Sequence, residues 1–298
     1  MKRRYVTVDV FTETKFGGNP LAVVLDAEGL DGAQMQAIAK EFNYSETTFV
    51  LPPVDAAHTA HVRIFTPVRE LPFAGHPNVG TAYALARIGT VFGHPVPATL
   101  LFEETAGLVP VRILHKGEEI SGAELTAPQR LSRGAELPAR VVAACFGLAE
   151  EDIVTDRHMP VVAGVGTPFI IAELRKVETL GRIRPDAAAF AAHLPVDGTN
   201  ALLVYVRAGR GVLKTRMIIP LPDIREDPAT GSANAALAGL LAELAPQADH
   251  HFKWTIHQGV EMGRPSLLLA EADKSAGQVT GVRIGGSCVP VMEGLLDA

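Results

Sequence analysis

Two segments decide the fold of this chain: GHPNVGTAYALA at 75–86 and GSANAALAGLLA at 231–242. On a helix, small or apolar residues would cover nearly the whole circumference of either segment, and a helix with that surface is buried on all sides. A sheet wrapped around each helix would bury it in this way. The sequence therefore predicts two α/β units, each built around one central helix.

The residues leading into the two helices follow the same order. Gly166 follows Gly18 by 148 residues, Pro220 follows Pro67 by 153, and Gly231 follows Gly75 by 156. In both halves of the chain these residues belong to the same series of elements: a Gly-x-Pro turn, an apolar strand, an Arg-containing strand and a small-residue helix. Proteins of the α/β class can repeat strand and helix order without duplication, but matches in the same order favour a duplicated unit.

Composition excludes several classes of function. The net charge is −6 with acidic and basic residues interspersed, so there is no basic stripe for nucleic acid. The longest apolar stretch, 233–245, is too short to span a bilayer, and 1–10 lacks the apolar segment of a secretion signal. Two distant cysteines, Cys145 and Cys288, indicate a reduced, cytoplasmic protein without disulfides.

Three polar clusters adjoin the predicted helices, and they contain Ser45-Glu46, His76 and Asp227. Taken singly, each has an ordinary structural interpretation as a solvated turn, a packed or capping residue, or a turn before proline. Taken together, they place two carboxylates and an imidazole beside two helix N-termini. Such a set can perform acid/base chemistry, and the free N–H groups can hold an anion.

Other kinds of site lack support in the sequence. The histidine pairs His58/His61 and His250/His251 have no further ligands at metal spacing, so no metal is expected. The Gly-x-Gly sequences at 164–166 and 209–211 do not open a helix, which excludes a dinucleotide or phosphate loop.

Long motifs resemble those of the PhzF-like isomerases of phenazine biosynthesis, which are relatives in fold of diaminopimelate epimerase and proline racemase. The most specific are SETTF at 45–49, ELPFAGHP at 70–77 and EDPATGSA at 226–233, and the likeness runs nearly end to end. The resemblance implies an α+β fold of two pseudo-symmetric lobes, each a curved, barrel-like mixed sheet wrapped around a central helix. It also implies a cleft between the lobes as the active site, a homodimer, and no cofactor.

The expected lobes are 1–118 and 119–281, with 282–298 as a segment that could return to complete the first. Carried over residue by residue, the resemblance makes Glu46 the shuttling acid/base, with His76 and Asp227 as its catalytic partners. Ser45 and the backbone around Gly75, Gly231 and Ser232 would bind a small carboxylate substrate.

The implied reaction is a proton or double-bond shift similar to that of trans-2,3-dihydro-3-hydroxyanthranilate isomerase. One carboxylate can remove a proton and return it on the same face, whereas the epimerase relatives use two cysteines. Here Ala74 and Pro228-Ala229 stand in those loops, so a two-thiol mechanism is disfavoured. We expect burial to raise the pKa of Glu46 towards neutrality.

Two alternatives remain open at this point. One is a Glu-dependent epimerase or lyase acting on an amino or hydroxy acid. The other is a non-catalytic protein that binds small carboxylates, although binding would need only the helix ends and not Glu46, His76 and Asp227.

Overall fold

The computed structural model describes residues 1–220 and 224–298. They form two compact units: the first comprises Met1–Pro128 and Ile284–Ala298, and the second comprises Gln129–Arg283. Each unit combines a mixed sheet with one buried central helix, as the sequence predicts.

The first unit contains two helices and the strands β1 to β10, which come from the N-terminal part of the chain. The strands are β1 (Lys2–Val10), β2 (Asn19–Val24), β3 (Glu46–Leu51), β4 (Ala60–Phe65), β5 (Glu70–Leu71), β6 (Thr90–Val91), β7 (His94–Pro95), β8 (Thr99–Glu104), β9 (Gly107–Lys116) and β10 (Glu119–Thr126), and the helices are α1 (Gly32–Phe42) and α2 (Gly75–Ile88). Asp31 caps α1, because its side chain accepts a hydrogen bond from the Gln34 N–H while the Gln34 side chain accepts one from the Asp31 N–H.

The second unit is built from shorter helices and a second set of strands. Its elements are β11 (Ser132–Glu136), α3 (Ala139–Phe146), a 3-10 turn (Glu150–Asp152), β12 (Ile153–Val154), β13 (Val161–Gly164), β14 (Pro168–Leu174), α4 (Val177–Arg182), α5 (Ala187–His193), β15 (Leu202–Gly209), β16 (Val212–Pro220), β17 (Ile224–Asp227), α6 (Gly231–Leu244), β18 (His250–Gln258) and β19 (Ser266–Ser275). The last strand, β20 (Gln278–Asp297), begins in this unit and continues in the first from Ile284.

Strand pairing follows the same order in both units. In the first, β1 is antiparallel to β2, β2 parallel to β3, β3 antiparallel to β4, β4 parallel to β8, and β8 antiparallel to β9. Strands β9 and β10 are antiparallel, and β20 pairs with both β10 and β1, which closes a barrel of eight strands. In the second, β13, β14, β15, β16, β18 and β19 repeat the sequence of antiparallel and parallel pairs. The predicted α+β class, with a curved mixed sheet in each lobe, is confirmed.

The central helices are buried as their composition predicts. Helix α2 packs against β1, β2, β9 and β10, and α6 packs against β13, β14 and β19. The packing is close: a Cβ added at Gly80 would lie 2.6 Å from Leu21 Cδ2 and 2.7 Å from Val10 Cγ2. None of the described helices is long and apolar enough to cross a bilayer.

The boundaries of the units differ from those expected. The first unit runs to Pro128 instead of residue 118, because residues 119–126 form β10, the second arm of a hairpin with β9. Its C-terminal segment begins at Ile284, and β20 pairs with β1 from Cys288 opposite Val10 to Asp297 opposite Lys2.

Candidate active site

The candidate site of the first unit lies where β2 and β3 begin. These strands are parallel, with Leu21 opposite Glu46, so Asn19 and the Ser45-Glu46 pair come to the same edge of the sheet. The turn before β2 is tight: Gly18 has φ 61°, and a Cβ there would lie 2.3 Å from the Val10 carbonyl oxygen. Glycine is therefore required at position 18 to bring Asn19 to this edge.

Helix α2 begins at the same edge and contributes His76. Its N-cap is Ala74, no described side chain caps it, and Gly75 and His76 are both buried. His76 Nε2 lies 3.5 Å from Glu46 Oε2, and Nδ1 lies 3.3 Å from Asn19 Nδ2. Two of the predicted catalytic residues, Glu46 and His76, are thus brought together within one unit.

The imidazole of His76 is neutral. Burial lowers its pKa from 6.5 to about 3, and a hydrogen bond with the Pro20 backbone offsets this only in part. Nδ1 lies on the side of the ring that faces the Asn19 amide, and Nε2 is the nitrogen that faces Glu46. Glu46, whose side chain is 17% exposed, can still be reached from solvent.

The strand before each central helix is held by a bidentate ion pair. The Arg63 guanidinium donates to both carboxylate oxygens of Glu70 at 2.7 Å, and that of Arg216 donates to Glu226 at 2.8 and 2.7 Å. Two parallel charge-assisted bonds fix orientation as well as distance. They hold β5 against β4 and β17 against β16, and so fix the strand that leads into α2 and the strand that leads into α6.

In the second unit, Asp227 ends β17, and the predicted binding residues Gly231 and Ser232 open α6. The Thr230 hydroxyl donates to Asp227 Oδ2 at 2.5 Å, so this carboxylate is oriented by the helix N-cap residue. Gly231 is buried and Ser232 is half-buried. These three predicted residues lie together at the start of one helix.

Sequence reasoning missed the role of Gln258, the last residue of β18. Its Nε2 donates to the Asp227 carbonyl at 2.7 Å, and its Oε1 accepts from Asn234 Nδ2 at 2.6 Å and from the Thr230 N–H at 3.2 Å. It therefore ties β17 to the first turn of α6. The available signal was a glutamine on the buried face of an alternating strand, just before Gly259.

Metal ligands and thiols are the other groups that sequence analysis considered. The described residues contain no cluster of three His, Cys, Asp or Glu side chains that could hold a metal ion. Both cysteines are buried, and burial raises the pKa of Cys145 to about 11 and that of Cys288 to about 12. Neither is a thiolate at neutral pH, which argues against a thiol base.

Comparison with known proteins places these features in a family. Residues 8–294 match the model of the phenazine biosynthesis-like PhzC-PhzF family. An uncharacterized isomerase from Mesorhizobium japonicum is 40% identical, the match covering 99% of this chain and 98% of the relative. The trans-2,3-dihydro-3-hydroxyanthranilate isomerase of Pseudomonas fluorescens is 35% identical, with 98% of each chain covered.

A solved structure agrees in fold. A phenazine biosynthesis protein of the PhzF family from Bacillus anthracis superposes with a TM-score of 0.86 at 24% identity, with 100% of each chain covered. Together, the family match and the identity over nearly the full length of both relatives establish membership. The chain belongs to the phenazine biosynthesis-like PhzC-PhzF family and is an isomerase.

Proposed function

We propose that this protein isomerises trans-2,3-dihydro-3-hydroxyanthranilate, or a small carboxylic acid closely similar to it, with Glu46 as the acid/base. The observation that carries the proposal is the approach of Glu46 Oε2 to His76 Nε2 at the uncapped start of a buried helix. The 35% identical relative from Pseudomonas fluorescens, named for this reaction, supports the choice of substrate.

The proton transfer needs one carboxyl group in two protonation states. Glu46 takes a proton from one substrate carbon, and the electron pair of the broken C–H bond moves into the substrate's conjugated system. The same carboxyl then returns its proton to another carbon, which moves the double bond and leaves Glu46 as it began. No net oxidation and no second substrate are involved.

His76 assists by orienting Glu46. Because its ring is neutral, it adds no positive charge that would hold Glu46 permanently as a carboxylate. Its Nε2 lies 3.5 Å from Glu46 Oε2 and can keep the carboxyl turned towards the substrate. In this proposal, the contacts of the ring with Asn19 and with the Pro20 carbonyl fix the orientation of the imidazole.

The remaining predicted residues are proposed to bind the substrate. Backbone N–H groups at Ser45 and Gly75, and at Gly231 and Ser232, can donate to its carboxylate and hydroxyl oxygens. Asp227, oriented by Thr230, is proposed to accept a hydrogen bond from the substrate's amino or hydroxyl group.

We also propose that the protein acts as a cytoplasmic homodimer. Two free, buried cysteines suit a reducing compartment. Leu267 and Leu269 are exposed on the outer face of β19, 40% and 44% respectively, and a second copy of the chain is the proposed cover. Light scattering should give twice 31.6 kDa across a dilution series, and a mass of 31.6 kDa at every concentration would refute the dimer.

The reaction can be tested by NMR in D2O. Wild-type protein and the Glu46→Gln variant would be incubated with trans-2,3-dihydro-3-hydroxyanthranilate and a panel of small amino and hydroxy acids. A Glu46-dependent shift of the double bond supports the proposal, and hydrogen at the new carbon in D2O would show that Glu46 returns the proton it removed. Glu41→Gln, at an exposed position on α1, is the matched control and should behave as wild type.

Two other outcomes would contradict the proposal. Deuterium incorporation with inversion at the original carbon would identify an epimerase. Binding of a carboxylate without exchange or isomerisation of any compound would identify a binding protein.

A further inference from the structure

The second unit contains a polar pocket that the proposed reaction does not use. It has a volume of about 330 Å³ and lies at the end of β14, next to β12 and β15. Three guanidiniums line it, those of Arg157, Arg175 and Arg207, and so do the carboxylates of Asp156 and Glu173. None of the described residues that line this pocket belongs to the proposed active site.

Glu173 is the buried centre of this charged group. Its side chain is 3% exposed, and its carboxylate accepts hydrogen bonds from three side chains. The Tyr205 hydroxyl donates to Oε2 at 2.8 Å, Arg207 Nε donates to Oε1 at 3.2 Å, and Arg157 Nη1 also donates to Oε1. Both carboxylate oxygens therefore have donors within the protein. The effect of Glu173 is to hold two guanidiniums in place at the pocket.

The three guanidiniums keep donors available for a ligand. Arg157 and Arg207 each give one nitrogen to Glu173. Arg175 gives Nε to the Glu151 carbonyl at 2.9 Å. Within residues 1–220 and 224–298, the other guanidinium nitrogens of these three arginines have no hydrogen-bond acceptor. The side chains of Arg157 and Arg207 are 54% and 39% exposed, so a ligand can reach them from solvent. Because a guanidinium presents five N–H donors in one plane, it suits the paired oxygens of a carboxylate or phosphate.

The size, charge and wall of the pocket limit what it can hold. Its volume lies at the lower end of the range for small-molecule sites, about 300–1,000 Å³, and leaves room for more than an inorganic ion. Three guanidiniums against two carboxylates leave one net positive charge, which favours a ligand with one oxyanion group over a polyanion. Val154, Leu174 and Val206 form the rest of the wall, so the remainder of the ligand would meet apolar side chains.

The first unit shows that the repeated fold does not need these polar groups. Glu173 lies five residues after the proline of its Gly-x-Pro turn, and Leu25 lies five residues after the proline of the first such turn. The parallel pairing of β14 with β15 sets Tyr205 opposite Glu173, and the pairing of β2 with β3, extended by one residue, sets Val50 opposite Leu25. Leu25 and Val50 are both buried. Because a buried ion pair is often no more stabilising than apolar residues of similar volume, stability does not explain a carboxylate at this position.

We infer that this pocket binds a small molecule with one oxyanion group, a carboxylate or a phosphate. Arg157, Arg175 and Arg207 bind that group, and the apolar wall contacts the rest of the ligand. Glu173 is a positioning residue, since it holds the guanidiniums of Arg157 and Arg207 and leaves their other donors to the ligand. The site goes beyond the proposed function and does not depend on it.

Calorimetric titration of the full-length protein at low ionic strength tests the site. The probes are two matched pairs, inorganic phosphate with phenyl phosphate and acetate with benzoate. We expect the members of at least one pair to bind, and the member with the phenyl ring to bind more tightly because it also contacts the apolar wall. Tighter binding of the phosphate pair would assign the site to phosphorylated compounds, and tighter binding of the carboxylate pair would assign it to carboxylic acids.

Three variants locate the bound probe. Arg175→Gln should raise the Kd at least about tenfold, because it removes a charge-assisted hydrogen bond. The Arg175 guanidinium bonds only to a backbone carbonyl in the described structure, so its loss leaves no buried charge unpaired and the Tm should stay close to that of wild type. Asp156→Asn should lower the Kd about two- to fivefold, because it removes a negative charge from the exposed side of the pocket. Arg140→Gln, at an exposed position on α3 outside the pocket, is the matched control and should bind as wild type does.

Two results would overturn the proposed anion site. One is that wild type binds none of the four probes up to the millimolar range. The other is that a probe binds with equal Kd in wild type, Arg175→Gln and Asp156→Asn, which would place it elsewhere on the protein. Isomerisation is not measured in this titration, so a failure of the proposed function would leave these results unchanged.

Discussion

The charge state of His76 leads to a prediction that can be worked out in magnitude. The side chain is 4% exposed and its pKa is lowered from 6.5 to about 3 by burial. The folded pKa lies below the unfolded one, so between pH 3 and 6.5 the unfolded chain binds a proton that the folded chain does not. Stability from this residue is therefore complete above pH 6.5 and is lost as pH falls towards 3.

Each pH unit in that window corresponds to about 1.4 kcal/mol. At pH 6.5 the unfolded histidine is already half protonated, so acidification to pH 4.5 should cost about 2 kcal/mol through His76 alone. With an unfolding entropy of about 2.1 cal/mol/K per residue, a chain of this length would lose about 3 °C in Tm. The His76→Gln variant lacks the titrating group, so its Tm should fall about 3 °C less than that of wild type over the same range.

The assay has two parts, calorimetry of both proteins from pH 4.5 to 8 and ¹⁵N NMR of the labelled imidazoles. We expect the His76 nitrogens to keep the chemical shifts of a neutral imidazole throughout the range. An inflection of the His76 signals between pH 6 and 7 would refute a neutral, desolvated ring. Equal losses of Tm in wild type and His76→Gln would refute the linkage argument.

Two further predictions concern packing and thiol chemistry. Gly80→Ala should lower the free energy of unfolding by about 1–3 kcal/mol in denaturant titrations, because its Cβ would overlap Leu21 and Val10. Gly181→Ala is the control: its Cβ would meet open space, so the substitution should be neutral or slightly stabilising. In the native protein at pH 8, Cys145 and Cys288 should not react with a disulfide reagent, because burial keeps both thiols protonated. Both should react once the protein is unfolded in denaturant. Rapid labelling of the native protein would contradict their burial.

The two central helices could be predicted because the evidence for them lies within their own sequence. A helix at 75–86 is apolar on all sides and is therefore stable only when buried. The repeated order of turns and strands predicts the same burial for the second helix, at 231–242. The expected boundary after residue 118 falls inside a hairpin and is therefore too early. The strand at 119–126 belongs with β9 by hairpin pairing, which composition alone did not reveal.

The candidate site was only partly predictable. Glu46 and His76 were identified through the resemblance, and the packing of α2 against β3 explains why residues 30 positions apart approach one another. Gln258 was not identified, because a polar residue at a strand end usually faces solvent. Its burial follows from the non-local pairing of β18 with β16.

In the proposed reaction one carboxyl, that of Glu46, carries the proton. The single-turnover rate of the double-bond shift tests this role, measured in Glu46→Gln and in wild type with enzyme in excess over substrate and well above the separately determined Kd. A positioned general acid/base contributes about 10²–10⁴-fold, so we predict a loss of at least a hundredfold with Kd changed less than threefold. A rate within threefold of wild type would show that Glu46 does not carry the proton.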